Sequence, residues 1–409
     1  MGYKTKAIKS VSWMGALNIS TRIISLVKFM IIARLLVPAD LGAFGLVVFI
    51  VGVAEVFSEL GIQTFLIQYK KNINKFIDSA WILQIIRGVG LFIIVALLAF
   101  PASLFFRQSV LFQLILLGAL VPLIKSFENT YVINFQKELH FHKQFFYNLI
   151  IVVSDFLVSV TLAIILHSVL ALVLGLVLSS LVGIIYSWVV LKTRPKRSFN
   201  REKIGEILHY GKWININSVI YYTITQMDTL FIGRLLGTSV LGLYQVSQNF
   251  SYTPMQEVAD VVGQVNFPVY SKIAGDIQRF KKAYLKVVSA LFLVELVIGI
   301  ILFVFSRELI LLFLGSRWLS GESIFRIFVV YGFIYALVGT NGAFFLSIGK
   351  QAFLTKINII RICILIPLML ILIHLFGAVG AVYAFIISLL IIAPISIFNT
   401  VKVLTSESK

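Results

Sequence analysis

"ICILIPLMLILIHLFGAVGAVYAFIISLLIIA", residues 362–393, carries no Asp, Glu, Lys or Arg. A bilayer's hydrocarbon core is crossed by roughly 20 apolar residues in a helix, so this run is too long for one span. Gly377 and Gly380 mark the expected break between two. "VGLFIIVALLAFPASLFF" (89–106) and "ALVLGLVLSSLVGIIYSWVVL" (171–191) are further runs of spanning length. With 59% hydrophobic and 13% charged residues over 409 positions, the chain has more apolar surface than one soluble core can hide. Lipid offers no partner for a bare peptide group, so repeated spans of this kind are helices. The fold class is therefore an all-α polytopic membrane protein.

Twelve spans fit the pattern, near 11–35, 41–66, 80–105, 109–130, 145–166, 169–191, 210–236, 240–266, 284–306, 323–347, 355–375 and 378–400. Their connections alternate in charge. One set is basic, including Lys4, Lys6 and Lys9, Lys70 and Lys71, "KTRPKRSFNREK" (192–203) and "SKIAGDIQRFKKAYLK" (271–286); the other holds little beyond Arg107, Arg307 and Arg317. Positive loops stay in the cytoplasm, which places both termini there. The net charge of +18 is thus a topology signal and not a nucleic-acid surface. No short apolar core with a cleavage site follows the basic "MGYKTKAIKS", so a cleaved signal peptide is not expected. A lone Cys363 and a His140/His142 pair without a third ligand argue against a disulfide framework or a metal site.

"ARLLVPADLG" (33–42) returns as "GRLLGTSVLG" (233–242). An ungapped shift of 200 residues superposes Trp13, Ile24, Ile32, Arg34, Leu35, Leu36, Leu41 and Gly42 on identical residues of the second copy. The most basic connection, 192–203, lies between the copies. This predicts two lobes, 1–203 and 204–409, each a six-helix bundle. An even number of spans per lobe makes them parallel pseudo-symmetric repeats, with a substrate path, a central cavity, at their interface.

Polar residues inside spans are costly, about 3 kcal/mol for a central charge, and normally face protein or water. In span one Asn18, Thr21, Arg22, Ser25 and Lys28 share one roughly 120° arc, and in span seven the same arc carries Ser218, Tyr221, Tyr222, Thr225 and Asp228. Span eight adds a stripe including Gln245, Gln248, Asn249, Gln256 and Asp260, with Glu257 at its edge. Basic groups in the first half suit an anion, because arginine binds phosphate oxygens in parallel pairs. Candidate substrate-binding residues are Arg22, Arg87, Asn18, Ser25, Tyr221, Gln248, Asn249 and Gln256. Candidate gating or ion-coupling residues are Lys28, Asp228, Asp260 and Glu257, with Lys28 opposite Asp228 in the repeat register. Arg34 and Arg234 are expected to snorkel at helix ends. Lys125 and Glu128 are expected to form an interfacial pair, and Glu55 and Glu59 to pair with bases on neighbouring helices.

"IIARLLVPADLGAFGLV" (31–47), "FSELGIQTFLIQYKK" (57–71), "LFLGSRWL" (312–319), "FFLSIGKQAFLTKINI" (344–359) and "LFGAVGAVYAF" (375–385) resemble bacterial polysaccharide exporters. These are the O-antigen, colanic-acid and teichuronic-acid type flippases of the multidrug/oligosaccharidyl-lipid/polysaccharide exporter superfamily. The resemblance implies two bundles around a cavity that opens alternately to either side. It implies a polyprenyl-diphosphate-linked oligosaccharide as substrate, carried for surface polysaccharide or lipopolysaccharide assembly, with Arg22 placed to hold the diphosphate. Many relatives have fourteen helices, the last two forming a groove for the prenyl tail. With twelve, the tail's path is open. The other partners on this reading are the bilayer, a coupling proton or sodium ion, and polysaccharide polymerase machinery. No cofactor is expected. A multidrug or organic-cation antiporter of the same fold is the alternative. A membrane-embedded glycosyltransferase or polymerase comes third, since no Gly-rich loop or catalytic constellation is present.

Overall fold

The structure, a computed structural model, describes residues 20–69, 73–138, 140–196 and 198–405, without the side chains of 212–214 and 217. The first lysine cluster, Asn18, the Trp13/Trp213 pair and Lys70 with Lys71 fall outside these. Helix α1 runs over 20–35, followed by α2 (Pro38–Phe57), α3 (Ile62–Gln68), α4 (Asn74–Phe105), α5 (Val110–Lys125), α6 (Ile133–Lys137), α7 (Phe141–Leu166) and α8 (Leu170–Val190). The second series is α9 (Arg201–Leu235), α10 (Thr238–Ile273), α11 (Ile277–Val304), α12 (Ser306–Leu309), α13 (Glu322–Ser347), α14 (Gln351–Phe376) and α15 (Ala378–Thr405). All regular structure among the described residues is helical.

A helix stands at each of the twelve expected positions. Among the described residues eight are long and apolar enough to cross a membrane, or nine if the bent pair Val110–Lys125 and Thr130–Lys137 forms one span. The three left over are α1, α9 and α10, the helices whose sequences carry the polar arcs. The second expected span is shorter than its hydropathy suggested. The expected span covers 41–66, but α2 ends at Phe57. Gly61, at φ 63°, then starts α3, and its N–H donates to Glu59 Oε1 at 2.9 Å. Averaging over "FSELGIQTF" hides the turn that only a left-handed residue permits. Glu59 therefore sits in a turn and not within a membrane helix.

The chain forms two compact units, residues 1–222 and 223–409. The division falls inside α9 and not at the basic connection 192–203. Ile204 and Ile207 of α9 join a buried cluster with Ile62, Phe65, Leu66 and Phe76 of the first unit, which ties the start of α9 to it.

The two units share one packing scheme. In the first, α5 is the hub against α2, α4 and α8, and α7 packs on α8. In the second, α13 is the hub against α10, α11 and α15, and α14 packs on α15. Small residues set the hub distances, as expected where lipid supplies no hydrophobic drive. A Cβ on Gly118 of α5 would lie 2.7 Å from Val47 Cγ1 of α2, and one on Gly332 of α13 would lie 2.9 Å from Met255 Sδ of α10. A buried asparagine adds polar glue in each. Asn129, just beyond α5, donates through its backbone N–H to Ser187 Oγ of α8 at 3.3 Å. Asn341 of α13 accepts from Tyr284 of α11 at 2.6 Å and from Thr400 of α15 at 3.3 Å. The outer helices α4, α7, α11 and α14 turn Leu97, Ile165, Val297 and Leu375 outward, as a lipid-facing surface requires.

The helix end at the repeated junction closes with the same hydrogen bond in both copies. Leu36 N–H donates to Ile32 O at 2.9 Å, and Leu236 N–H to Ile232 O at 2.8 Å. Ile32 and Ile232, and Leu41 and Leu241, are all buried. The turn residues differ: Val37 precedes Pro38 at the first helical position of α2, where a missing N–H costs nothing, while Gly237 adopts φ 84° before α10.

Candidate functional site

Helix α1 exposes Arg22 and Ser25 and half-buries Lys28. The Lys28 ammonium lies 2.6 Å from Asp155 Oδ2 on α7, with the two side chains 14% and 21% exposed. Ser159, one turn further along α7, donates to the other carboxylate oxygen at 3.1 Å. Asp228, on α9 in the second unit, is 1% exposed. It accepts from Tyr244 Oη at 2.9 Å and from the Thr229 N–H at 2.8 Å. The pairing expected from the repeat register is thus not the one either group makes. Register equates positions 28 and 228 within their own units, and equivalence does not make two residues face each other. Each instead binds the nearest complementary group inside its own unit.

Arg87 of α4 is a candidate substrate-binding residue. Its guanidinium holds the turn after α2, donating to Glu55 O at 2.8 Å and to Ser58 Oγ at 3.2 Å. Glu59 Oε2 lies 3.6 Å away. The expectation that Glu59 pairs with a neighbouring base therefore holds, with Arg87 as the base. Asn215 of α9 binds the same turn, donating to Val56 O, Phe57 O and Glu59 O within 3.2 Å. Helix C-terminal carbonyls without partners are costly when buried, and these two side chains answer that need.

Beside Arg87 opens a cavity of about 490 Å³ wholly within the first unit. Its wall includes Glu55, Glu59, Lys125 and Glu128, and amides from α3, α4, α6 and α7. Glu128 accepts a short hydrogen bond from Tyr147 of α7, and Gln84 donates to Lys125 O at 3.1 Å. Lys125 and Glu128 thus belong to a cavity wall. Tyr147, Gln144 and Asn148 were not singled out from sequence, although their spacing puts them on one face of α7.

In the second unit Gln245 of α10 donates to Thr229 Oγ1 at 3.3 Å. Gln248, Gln256 and Glu257 are half-buried along α10, whereas Asn249 and Asp260 are exposed, as is Tyr221 on α9. Tyr252 stands among Tyr331, Tyr335 and Phe328 with ring centroids 5.0, 5.5 and 6.3 Å away. Arg361 of α14, which sequence reading passed over inside an apolar run, is buried and donates to Tyr331 Oη at 3.1 Å. Glu295 of α11 is fully buried with neither oxygen hydrogen-bonded among the described residues. Among those residues, no three His, Cys, Asp or Glu side chains gather closely enough to hold a metal ion.

The sequence pattern of the family described as "Polysaccharide biosynthesis protein" matches residues 31–323, and the chain belongs to that family. It is 25% identical over 412 residues to an "Uncharacterized membrane protein in cps region" of Klebsiella pneumoniae, covering 98% of this chain and 84% of that protein. It is 23% identical to the "Lipopolysaccharide biosynthesis protein WzxC" of Escherichia coli K12, covering 100% of this chain and 83% of the other. Against the "Teichuronic acid biosynthesis protein TuaB" of Bacillus subtilis the identity is also 23%, over 85% and 72% of the two chains. Among solved structures it is similar to the lipid II flippase MurJ in an inward closed conformation, with TM-score 0.75, 18% identity, and 95% and 88% coverage. An inward-facing multidrug transporter of the MATE family aligns with TM-score 0.68 and 17% identity over 95% and 96%. At these identities the structural matches establish a shared fold.

Proposed function

We propose that this member of the polysaccharide biosynthesis family is a flippase. It moves a polyprenyl-diphosphate-linked oligosaccharide across the bacterial cytoplasmic membrane, for assembly of a surface polysaccharide of the O-antigen or lipopolysaccharide kind. The observation that carries the reading is the coincidence of family membership with the fold of a lipid II flippase. It is a transporter and not an enzyme.

On this reading both termini and the basic loops lie in the cytoplasm. The two units rock to open a path alternately to either side. Arg22, with Ser25 and Asn18 on the same helix, replaces the water lost by the diphosphate. Tyr221 of α9, with Gln248, Asn249 and Gln256 of α10, offers stacking and hydrogen bonds to sugar rings along the path. Asp228, Glu257 and Asp260 are the groups for a coupling proton or sodium ion, and Lys28 controls the gate through α1. Arg87, held by the α2–α3 turn, acts by positioning and does not touch the diphosphate. The flipped repeat unit passes to polymerase machinery.

The likeness to multidrug transporters and the acidic groups of the second unit favour a cation antiporter as second reading. Deleting the gene and extracting lipids separates them. Accumulated polyprenyl-diphosphate oligosaccharide, cleared by the intact protein and not by Arg22→Ala, supports the flippase. Normal lipid intermediates with new sensitivity to cationic drugs support the antiporter.

A further inference from the structure

The cavity inside the first unit has no role in the path just described, and its wall has a definite chemistry. Its volume of about 490 Å³ falls within the roughly 300–1,000 Å³ of small-molecule pockets. Three carboxylates, Glu55, Glu59 and Glu128, meet two bases, Arg87 and Lys125. Arg87 already holds the α2–α3 turn. A diphosphate would exchange its hydration shell for a wall of net negative charge, so the wall rejects it. An alkylammonium would meet Lys125 and Arg87, and two of the carboxylates are already engaged, Glu59 by Arg87 and Glu128 by Tyr147. What remains favourable is a neutral molecule that both donates and accepts.

The polar groups left open ask for the same partner. Thr130 is 9% exposed, and its Oγ1 has no hydrogen-bond partner among the described residues. Gln144 donates through Nε2 to Asn148 Oδ1 at 3.4 Å, while its Oε1 accepts nothing among those residues. Buried polar atoms without partners are uncommon and call for an occupant. A hydroxyl can donate to Gln144 Oε1 and either donate to or accept from Thr130. The further amides Gln63, Gln84 and Gln136 supply both roles around the wall. Tyr147 completes it with a ring stacked on Tyr186 at 6.1 Å. Amides, carboxylates and an aromatic ring together recognise polyols.

We propose that this cavity is a sugar-binding site for an unphosphorylated ring of the lipid-linked oligosaccharide, separate from the surface that holds its diphosphate. The identity of the sugar rests on the flippase reading; the existence of a sugar site does not. Residues Leu66, Gln136 and Gln144 at its wall adjoin basic connections, which puts the cavity at the cytoplasmic end, where the substrate is loaded.

The test uses the full chain in lipid nanodiscs and two probes. One is the oligosaccharide released by mild acid from the lipid that accumulates in a deletion strain; the other is bare undecaprenyl diphosphate. Gln144→Leu combined with Thr130→Val should weaken oligosaccharide binding tenfold or more and leave undecaprenyl diphosphate binding unchanged, which also certifies folding. Equal oligosaccharide binding by variant and wild type overturns the proposal. If no lipid accumulates, the flippase reading fails, and a panel of free hexoses, N-acetylhexosamines and disaccharides decides the cavity alone. Sugar binding lost in the double variant then sustains the site. Absence of sugar binding up to 50-fold above the concentrations typical of sugar sites, or binding of ethylammonium in its place, overturns it.

Discussion

The Lys28 ammonium and the Asp155 carboxylate meet at 2.6 Å, joining α1 to α7 inside the first unit. An ion pair at this depth gains more than a surface pair and leaves a costly charge behind when one partner is removed. Lys28→Ala should therefore destabilise the protein by about 1–3 kcal/mol and depress export. Lys28→Asp should do worse, and Lys28→Asp with Asp155→Lys should recover most of the loss. Lys28→Asp with Asp228→Lys should recover none. Thermal unfolding in detergent and surface polysaccharide yield read both arms.

Tyr244 supplies one of the hydrogen bonds that hold the buried Asp228 carboxylate. Tyr244→Phe removes that donor and leaves the acceptor buried, at a cost of about 1–3 kcal/mol. Once Asp228→Asn has removed the charge, adding Tyr244→Phe should cost clearly less. A double-mutant cycle in thermal stability measures the coupling, and purely additive effects would contradict it.

Gly118 and Gly332 play the same part in the two hubs but face different neighbours. Gly118→Ala pushes a methyl against the stiff, β-branched Val47, so a loss of about 1–3 kcal/mol is expected, relieved by Val47→Ala. Gly332→Ala meets the sulfur of flexible Met255 and should be tolerated. Folded yield in size-exclusion chromatography would rank them; the reverse order would refute the packing argument.

Arg22 and Arg87 should separate by readout. Arg87→Lys loses the forked geometry that joins Glu55 O and Ser58, so stability and export should fall together. Arg22→Ala should lower export by far more than any fall in its unfolding temperature accounts for. Matching stability losses in both would deny Arg22 a substrate role.

These distinctions mark where sequence reading stopped. Apolar runs and alternating loop charge placed twelve expected spans, each of which has a helix among the described residues, since length and hydropathy are properties of single segments. The repeat was legible because Ile32 and Leu41 and their copies Ile232 and Leu241 are all buried at the same junction. Partners were not legible. Lys28 meets Asp155 across 127 positions of sequence, and only the tertiary fold brings them together. The cavity drew on α2 through α8, so no single stretch announced it. The α2–α3 turn was missed because one glycine outweighed the apolar residues around it.

The central claim is that the chain moves a lipid-linked oligosaccharide between leaflets. Its most direct test is a vesicle assay with purified full-length protein and the lipid-linked oligosaccharide isolated from a deletion strain. A membrane-impermeant glycosidase or lectin reads the fraction exposed outside. The account predicts that intact protein exposes the initially protected fraction within minutes and that Arg22→Ala slows this tenfold or more. No exposure above protein-free vesicles, together with efflux of a cationic dye from the same preparation, would contradict it.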